Sequence, residues 1–253
     1  MTETHVWPDG RKGAISCTYD DALPCHYEMV APAWEAHGLQ VTFYTHITRL
    51  MDDPGAWRDV AGCGHELGNH SIFHPCRKHG RLSWLADEYD LRTYTPRRWT
   101  DEMAAANAIL ASVDGRRERS YGNNCCNTEI GDGGALQSIE PLVEQLFVAA
   151  RGGLVNRVVD PAAVNFNALG HFSGDGRGFA ELREEVDAAV AAGGWIIYMI
   201  HGVGAGTHSL NMDPDVHRAL VDYVSERRDV LWAAPVATVA RHLRAAKLHL
   251  ARD

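Results

Sequence analysis

Short apolar runs alternate with helical patterns along this 253-residue chain, and this alternation limits the possible folds most strongly. The clearest run, WIIYMI at residues 195–200, is unbroken, which is typical of a parallel strand covered on both faces. GAISCTY (13–19) and QVTFYT (40–45) are similar runs, each followed by a helical segment. Repeated strand–helix units build parallel sheets, and this length favours a barrel over an open sheet. The sequence therefore predicts one α/β barrel domain over residues 1–253.

The expected helices and the remaining strands follow from start and stop signals. A helix from Pro24 to His37 is expected in two pieces, because Pro32 interrupts it. Further helices are expected after Asp53, at Thr100 or Asp101 (ending near Val113), at Ile139 (ending at Ala150), at Phe179 (ending at Ala192), at Asp213 and at Pro235. Further strands are expected at Leu154–Val159, just before His70 and at residues 230–232.

Composition excludes several classes of function. The net charge of −9 and the lack of a basic run argue against nucleic-acid binding. No apolar run is long enough to cross a membrane, and no signal peptide is visible at the start. We therefore expect a cytoplasmic protein, with secretion as the alternative if the sequence starts at a mature end. The cysteine spacing fits neither a zinc ribbon nor a small disulfide scaffold, which predicts free thiols in a reducing compartment. The six cysteines are Cys17, Cys25, Cys63, Cys76, Cys125 and Cys126.

Polar side chains follow the predicted strands, where a barrel places its active site. The stretch GHELGNHSIFHP holds His70 and His74, whose four-residue spacing would bring both rings to one side of a helical turn. Asp20 and Asp21 end the first strand, and unpaired carboxylates are costly to bury there. Neighbouring strand residues point in opposite directions. One aspartate could therefore complete a two-histidine, one-carboxylate metal site while the other accepts a proton.

His201 ends the WIIYMI strand and precedes a small-residue loop, so its imidazole can face a substrate. A metal-activated water, a carboxylate base and an imidazole acid together would form a hydrolase site. Each feature also has a plainer explanation: a chance histidine pair, a helix-capping Asp-Asp turn, or a core histidine. Of the remaining histidines, His65 is expected to pack beneath the site.

These motifs resemble the polysaccharide deacetylases, carbohydrate esterase family 4. CTYDDA (17–22) resembles the first motif of that family, GHELGNHSIFHP (64–75) the second and MIHGV (199–203) a late motif, in the family order. GLQVTFYT (38–45) and FVAARGG (147–153) are similar to further stretches common in the family. The resemblance runs from about residue 13 to 245. It implies a distorted (β/α) barrel, often with seven strands, and removal of acetyl groups from N-acetylated sugars or acetylated xylan.

The resemblance also implies a role for each matching residue. Asp20 would be the general base and His201 the general acid, while Asp21, His70 and His74 would hold one divalent metal. Zinc suits these mixed ligands best, although cobalt or nickel could serve.

The chain departs from the family at several positions. Ala22 stands where a glycine is usual, and RSYGNNCCN (119–127) lacks the usual Arg-x-Pro. Either Arg119 is displaced by one residue from the expected place, or the arginine that orients the base is absent. Arg151 is a candidate substitute for it. The usual Asp-Trp motif has no match. Tyr121, Asn123 and Arg151 are our predicted substrate-binding residues, and an N–H between Tyr121 and Asn124 could hold the oxyanion.

Three functions follow. The first is a metal-dependent deacetylase acting on an acetylated carbohydrate. The second is a hydrolase of a small amide or of a cyclic imide or ureide, as in some relatives of the wider superfamily. The third is a carbohydrate-binding protein without catalysis. His46, His208 and His217 are additional candidates for the site. Five tryptophans could line sugar subsites, although burial in the core is the plainer explanation for them: Trp7, Trp84, Trp99, Trp195 and Trp232.

Overall fold

Seven parallel strands close into a barrel in the computed structural model, which describes residues 6–250. Neighbouring strands follow chain order from β1 to β7, and β7 pairs back with β1. The strands are β1 (Gly13–Asp20), β2 (Thr42–Thr45), β3 (Glu66–Asn69), β4 (Tyr121–Gly122), β5 (Ala150–Val155), β6 (Leu169–Ser173) and β7 (Trp195–Ile200). The prediction of a distorted seven-stranded (β/α) barrel is confirmed.

An eighth strand makes the barrel irregular. β8 (Leu231–Ala233) pairs with the beginning of β1, at Gly13–Ile15, whereas β2 pairs with the end of β1, at Thr18–Asp20. β2 and β8 therefore share one edge of β1. β7 runs along the other edge of β1, at residues 14–19. β1 is buried along its whole length, which explains its nearly continuous apolar sequence.

The helices surround the barrel and begin at the expected type of signal. Asp53 accepts a hydrogen bond from the Ala56 N–H, and Asp213 from the Asp215 and Val216 N–H groups. The helices are α1 (Ala31–Glu35), α2 (Ile47–Leu50), α3 (Pro54–Gly62), α4 (Pro96–Asp114), α5 (Glu140–Leu146), α6 (Phe179–Ala191), α7 (Pro214–Glu226) and α8 (Val236–Leu250). A π-helical turn, His26–Val30, leads into α1. Further pairs of two-residue strands are Glu129–Ile130 with Gln137–Ser138 and Gly202–Val203 with Asn211–Met212.

Three predicted element boundaries are wrong. α4 begins at Pro96, because the Thr95 side chain caps it by accepting from the Arg98 N–H. α5 ends at Leu146, and strand β5 begins at Ala150, where the helix was expected to end. The expected strand Leu154–Val159 is the last part of β5 and the loop beyond it. In addition, strand β6 was not predicted, because its sequence, LGHFS, includes a glycine and two polar side chains.

Most tryptophans belong to the core. Trp7, Trp99 and Trp195 are buried, and Trp232 packs against a buried cluster, whereas Trp84 is 61% exposed. His65 is also buried, and its Nδ1 accepts a hydrogen bond from the Val41 N–H, as expected of a scaffold residue.

The cysteines differ from the expectation of free thiols. Cys76 and Cys125 form a disulfide between the segment after β3 and the loop after β4. The other four cysteines are free. Within residues 6–250, no helix combines the length and the apolar character needed to cross a membrane.

Candidate active site

The carboxyl ends of the barrel strands surround one cavity of about 640 Å³. Parallel strands bring the residues that follow them to a single end of the barrel, so residues far apart in sequence meet there. The cavity is lined by Asp20, Asp21, His46, Arg49, His70, His74, Leu82, Trp84, Asn123, Cys125, Cys126, Met199, His201, His208, Ser209 and Leu210. All five residues predicted as metal ligands or as catalytic groups therefore line the same space.

Asp21, His70 and His74 present three ligand atoms to one point. Asp21 Oδ1 lies 3.5 Å from His70 Nε2 and 3.2 Å from His74 Nε2. A tetrahedral zinc ion with ligands at its usual bond lengths would separate ligand atoms by about 3.3 Å. Asp21 Oδ1 is buried and has no aligned hydrogen-bond donor within the described chain. An unpartnered buried oxygen facing two imidazole nitrogens fits a divalent cation.

The two histidines meet through a strained loop, and the helical turn expected from their spacing is absent from residues 70–74. Ser71 and His74 have φ values of 66° and 52°, in the left-handed region that such residues rarely adopt. Hydrogen bonds hold this shape: Asn69 Oδ1 accepts from the Ser71 N–H, and Ser71 Oγ accepts from the His74 N–H. Strain concentrated at a site of this kind is often tied to function.

His70 is oriented by its other ring nitrogen. Its Nδ1 lies 2.7 Å from the Gly122 carbonyl oxygen, which can only accept, so Nδ1 carries the proton. Burial lowers the pKa of His70 to about 4. The ring is therefore neutral near pH 7, and its Nε2 lone pair faces Asp21, as metal binding requires.

Asp20 is held by a buried arginine on the opposite side of the barrel. Arg151 Nη2 donates to Asp20 Oδ2 at 2.6 Å, and its Nη1 donates to Thr18 Oγ1. Burial would raise the pKa of Asp20, but Arg151, His70 and His201 outweigh it and lower the pKa below its usual range. Asp20 Oδ1 has no hydrogen-bond partner in the described part of the chain. Asp20 is thus an ionised carboxylate with one open oxygen, as a general base requires.

His201 forms a dyad with Asp175, which lies two residues after the end of β6. Asp175 Oδ2 lies 2.7 Å from His201 Nδ1, and Asp175 Oδ1 accepts from the His201 N–H. Burial opposes protonation of His201, but Asp175 and Asp20 raise its pKa above the usual value. His201 is therefore suited to act as a general acid near neutral pH. Sequence reasoning missed Asp175 because it missed β6; a predicted strand there would have placed Asp175 at the active end.

The predicted substrate-binding residues separate into three positions. Asn123 lines the cavity, and its buried side-chain oxygen and nitrogen have no hydrogen-bond partner among residues 6–250. Arg151 is fully buried against Asp20, so it orients that carboxylate, and its predicted contact with substrate is corrected. Tyr121 packs in the core between Trp99 and Phe147, which argues against contact with substrate.

The N–H groups of Tyr121 and Asn123 are not available for an oxyanion. They donate to the carbonyl oxygens of Ala149 and Arg151. Arg119 lies at the other end of the barrel, where it donates to Leu67 O and pairs with Asp114. Arg119 is therefore not a displaced partner of the base.

The additional histidines differ in position. The His208 ring stacks on His201 with ring centroids 5.1 Å apart, and His46 packs against His74. Both line the cavity. His217 is buried, with its Nε2 hydrogen-bonded to Tyr19 OH, so it belongs to the scaffold.

Comparison with known proteins is consistent with these motifs. Residues 8–122 match the family model described as polysaccharide deacetylase. A gellan lyase from Bacillus sp. is 28% identical over 156 residues, which are 61% of this chain. The chain spans only 5% of that curated relative.

Solved structures share the fold. A structure described as a polysaccharide deacetylase from Mycobacterium smegmatis superposes with a TM-score of 0.64 at 17% identity, covering 95% of this chain and 93% of the other. An allantoinase superposes with a TM-score of 0.63 at 12% identity, covering 95% and 93%. The family match over residues 8–122 and the shared barrel lead to one conclusion: this chain is similar to the polysaccharide deacetylases and has their fold.

Proposed function

We propose that this protein is a metal-dependent hydrolase that removes acetyl groups from an acetylated carbohydrate. One observation carries the proposal. Asp20 and Asp21 each leave a buried carboxylate oxygen without a hydrogen-bond partner in the described chain, and both residues line one cavity. Such atoms cost free energy unless a ligand satisfies them. A cation beside Asp21 and a reacting water beside Asp20 would do so.

The chain's own groups support a complete proton balance. A divalent cation, preferably zinc, held by Asp21, His70 and His74 would supply Lewis acidity to the acyl carbonyl and to water. Asp20 Oδ1 accepts the proton that the attacking water loses, while Arg151 fixes the carboxylate through Oδ2. His201 then donates its proton to the departing nitrogen or oxygen, and Asp175 stabilises the imidazolium before transfer.

Asn123 favours an amide over an ester as the scissile bond. Its carboxamide offers one acceptor and two donor hydrogens, all buried and unpartnered within the described residues. An N-acetyl group presents a carbonyl oxygen and an N–H, whereas an ester lacks the N–H. The Asn123 nitrogen would donate to the developing oxyanion, and its oxygen would accept from the substrate amide. Gly152 makes room, since a Cβ there would lie 3.0 Å from Asn123 Cβ.

Trp84 supports a carbohydrate as substrate. It lines the cavity, is 61% exposed and has its ring centroid 6.0 Å from that of His74. A large exposed aromatic side chain next to the proposed ligands offers an apolar face on which a sugar ring can stack.

The test is acetate release from N-acetylated sugar oligomers and acetylated xylan, with metal content measured on the same sample. Activity should require one bound divalent cation and should disappear in Asp20→Ala. Asn123→Ala should lower kcat/KM on an amide by about a hundredfold, and by less on a matched ester. Asn165→Ala, an exposed asparagine bonded to Glu140, is the control and should change neither rate. Unchanged activity in Asp20→Ala would sink the mechanism.

A second candidate is hydrolysis of a small amide or cyclic imide. Leu82, Met199 and Leu210 give the cavity apolar walls, which suit a compact substrate better than a long polar chain. The allantoinase with the same fold favours this candidate. A higher kcat/KM on small cyclic amides than on sugar oligomers would replace the first proposal with the second. Stoichiometric sugar binding without turnover in the metal-loaded protein would favour a non-catalytic role.

A further inference from the structure

His74 faces two groups with its two ring nitrogens. Its Nε2 lies 3.2 Å from Asp21 Oδ1, in the group already described. Its Nδ1 lies 3.6 Å from Cys76 Sγ, and Cys76 is joined to Cys125 by the disulfide. A ring nitrogen of His74 and the Sγ atoms of Cys76 and Cys125 all lie within 4.8 Å of one another. The two groups therefore share one imidazole.

We propose that His74, Cys76 and Cys125 form a second metal site when the disulfide is reduced, and that this site competes with Asp21 and His70 for His74. One nitrogen and two thiolate sulfurs are a ligand set that zinc prefers, with a fourth position left for water. The 3.6 Å between His74 Nδ1 and Cys76 Sγ already suits two ligands of one tetrahedral ion. The regulatory consequence rests on the proposed function, whereas the metal site itself does not.

The chemistry balances with a dithiol as reductant. The dithiol transfers two electrons and two protons, so the Cys76–Cys125 bond breaks to two thiols and the dithiol becomes a disulfide. Cys125 is exposed and lines the cavity, whereas Cys76 is buried, so an attacking thiolate reaches the Cys125 sulfur first. Zinc then binds both sulfurs as thiolates and releases two protons.

Occupancy of the two sites is exclusive at His74. A neutral imidazole has one lone pair, on either Nδ1 or Nε2. Binding through Nδ1 moves the ring proton to Nε2, where it can donate to Asp21 Oδ1 3.2 Å away. The first site then keeps only Asp21 and His70. Reduction would thus weaken the proposed catalytic site without moving either of those residues.

Cobalt titration of the full chain tests the proposal directly. Co²⁺ bound to thiolates gives an intense sulfur-to-cobalt charge-transfer absorption, which nitrogen and oxygen ligands do not produce. We expect this band only after treatment with a dithiol, at one equivalent of cobalt. It should be lost in Cys125→Ser and retained in Cys63→Ser, which removes an exposed free thiol elsewhere. No band in the reduced protein, or a band that survives Cys125→Ser, would overturn the proposal.

A His70→Ala variant separates this inference from the proposed function. It removes a ligand of the first site and leaves His74, Cys76 and Cys125 in place. The charge-transfer band of reduced His70→Ala should therefore match that of the reduced parent protein. A band together with no hydrolysis by any oxidised protein would refute the hydrolase alone. Hydrolysis by the oxidised protein with no band after reduction would refute the second metal site alone.

Discussion

Buried carboxylates at the two ends of the barrel are treated differently. At the amino end, both oxygens of Glu66 are bonded: Oε1 accepts from Ser120 N–H and Oγ, and Oε2 accepts from Thr42 Oγ1 and the Ala237 N–H. Both oxygens of Asp114 are bonded as well. At the carboxyl end, Asp20 and Asp21 each leave Oδ1 without a hydrogen-bond partner in residues 6–250.

This difference distinguishes carboxylates that stabilise the fold from carboxylates that are positioned to bind a ligand. A buried oxygen with partners adds to stability, whereas one without them costs about 1–3 kcal/mol. Barrels place stabilising residues at the amino end and chemistry at the carboxyl end. The free-energy cost of the unpaired oxygens of Asp20 and Asp21 therefore belongs to the site. Hydrogen bonds elsewhere, including those to Glu66, offset it.

Replacing one carboxylate at each end of the barrel should give the largest effects and tests this difference directly. Asp21→Asn should abolish metal binding and lower kcat/KM by about a thousandfold or more, because about 4 kcal/mol of Lewis-acid stabilisation is lost. Its metal-free form should unfold at a temperature close to that of the parent, since Asp21 Oδ1 has no hydrogen-bond partner in residues 6–250 to lose. Metal analysis, acetate release and thermal denaturation measure these effects.

Glu66→Gln is the matched control. Its amide nitrogen would face donors, which should cost about 1–3 kcal/mol of unfolding free energy but leave kcat/KM of the folded protein unchanged. A large drop in the melting temperature of metal-free Asp21→Asn would contradict the contrast between the two ends.

The two buried arginines give the next largest effect. Arg151→Met leaves Asp20 charged and unpaired, which should cost about 3–5 kcal/mol of stability. It should also raise the pKa of Asp20, so the acid limb of the pH–activity profile should move to higher pH. Because the pKa of Asp20 is lowered in the folded protein, its ion pair stabilises above the unfolded value of about 3.9, and this is lost as pH falls.

Arg119→Met should lose comparable stability, because Asp114 is then unpaired, but its acid limb should not move. Denaturant titrations and pH–rate profiles of both variants distinguish the two roles. Equal acid limbs in the two variants would show that Arg151 does not act on the base.

The sequence allowed the site residues to be named from strand ends, and it failed where contacts cross the barrel. Asp20, Asp21, His70, His74 and His201 each follow an apolar run or lie in a dense motif, so their common location follows from the fold class. Which arginine reaches the base depends on strand register and on side-chain direction, and neither can be read from one sequence.

The fold shows the same limit. Strongly apolar strands such as β1 and β7 were predicted well, because burial on both faces leaves a continuous signal. β6 was missed, since Gly170 and the buried His171 interrupt the pattern, and tertiary contacts decide its structure. The disulfide was also missed, because sequence spacing does not reveal that Cys76 and Cys125 adjoin in space.

A smaller effect should come from the carboxylate that partners the acid. Asp175→Asn removes a charge that raises the pKa of His201, so the alkaline limb of kcat/KM should shift to lower pH. The sign follows from the raised pKa: as pH rises, His201 keeps its proton to a higher pH in the parent protein than in the variant.

The acid limb of Asp175→Asn should stay in place, because Arg151 still holds Asp20. Asp213→Asn, which alters only the cap of α7, should shift neither limb. An unchanged alkaline limb in Asp175→Asn would mean that His201 does not supply the proton.

The smallest effect tests where the site ends. Tyr121 OH donates to Asn124 Oδ1, and Asn124 Nδ2 donates to the His70 carbonyl oxygen, so Tyr121 supports the His70–His74 loop from the core. Tyr121→Phe should cost about 1 kcal/mol of unfolding free energy and change kcat/KM by less than about twofold. A raised KM with unchanged stability would instead restore Tyr121 to the substrate. The ligand-binding groups would then include Tyr121, a residue that packs in the core.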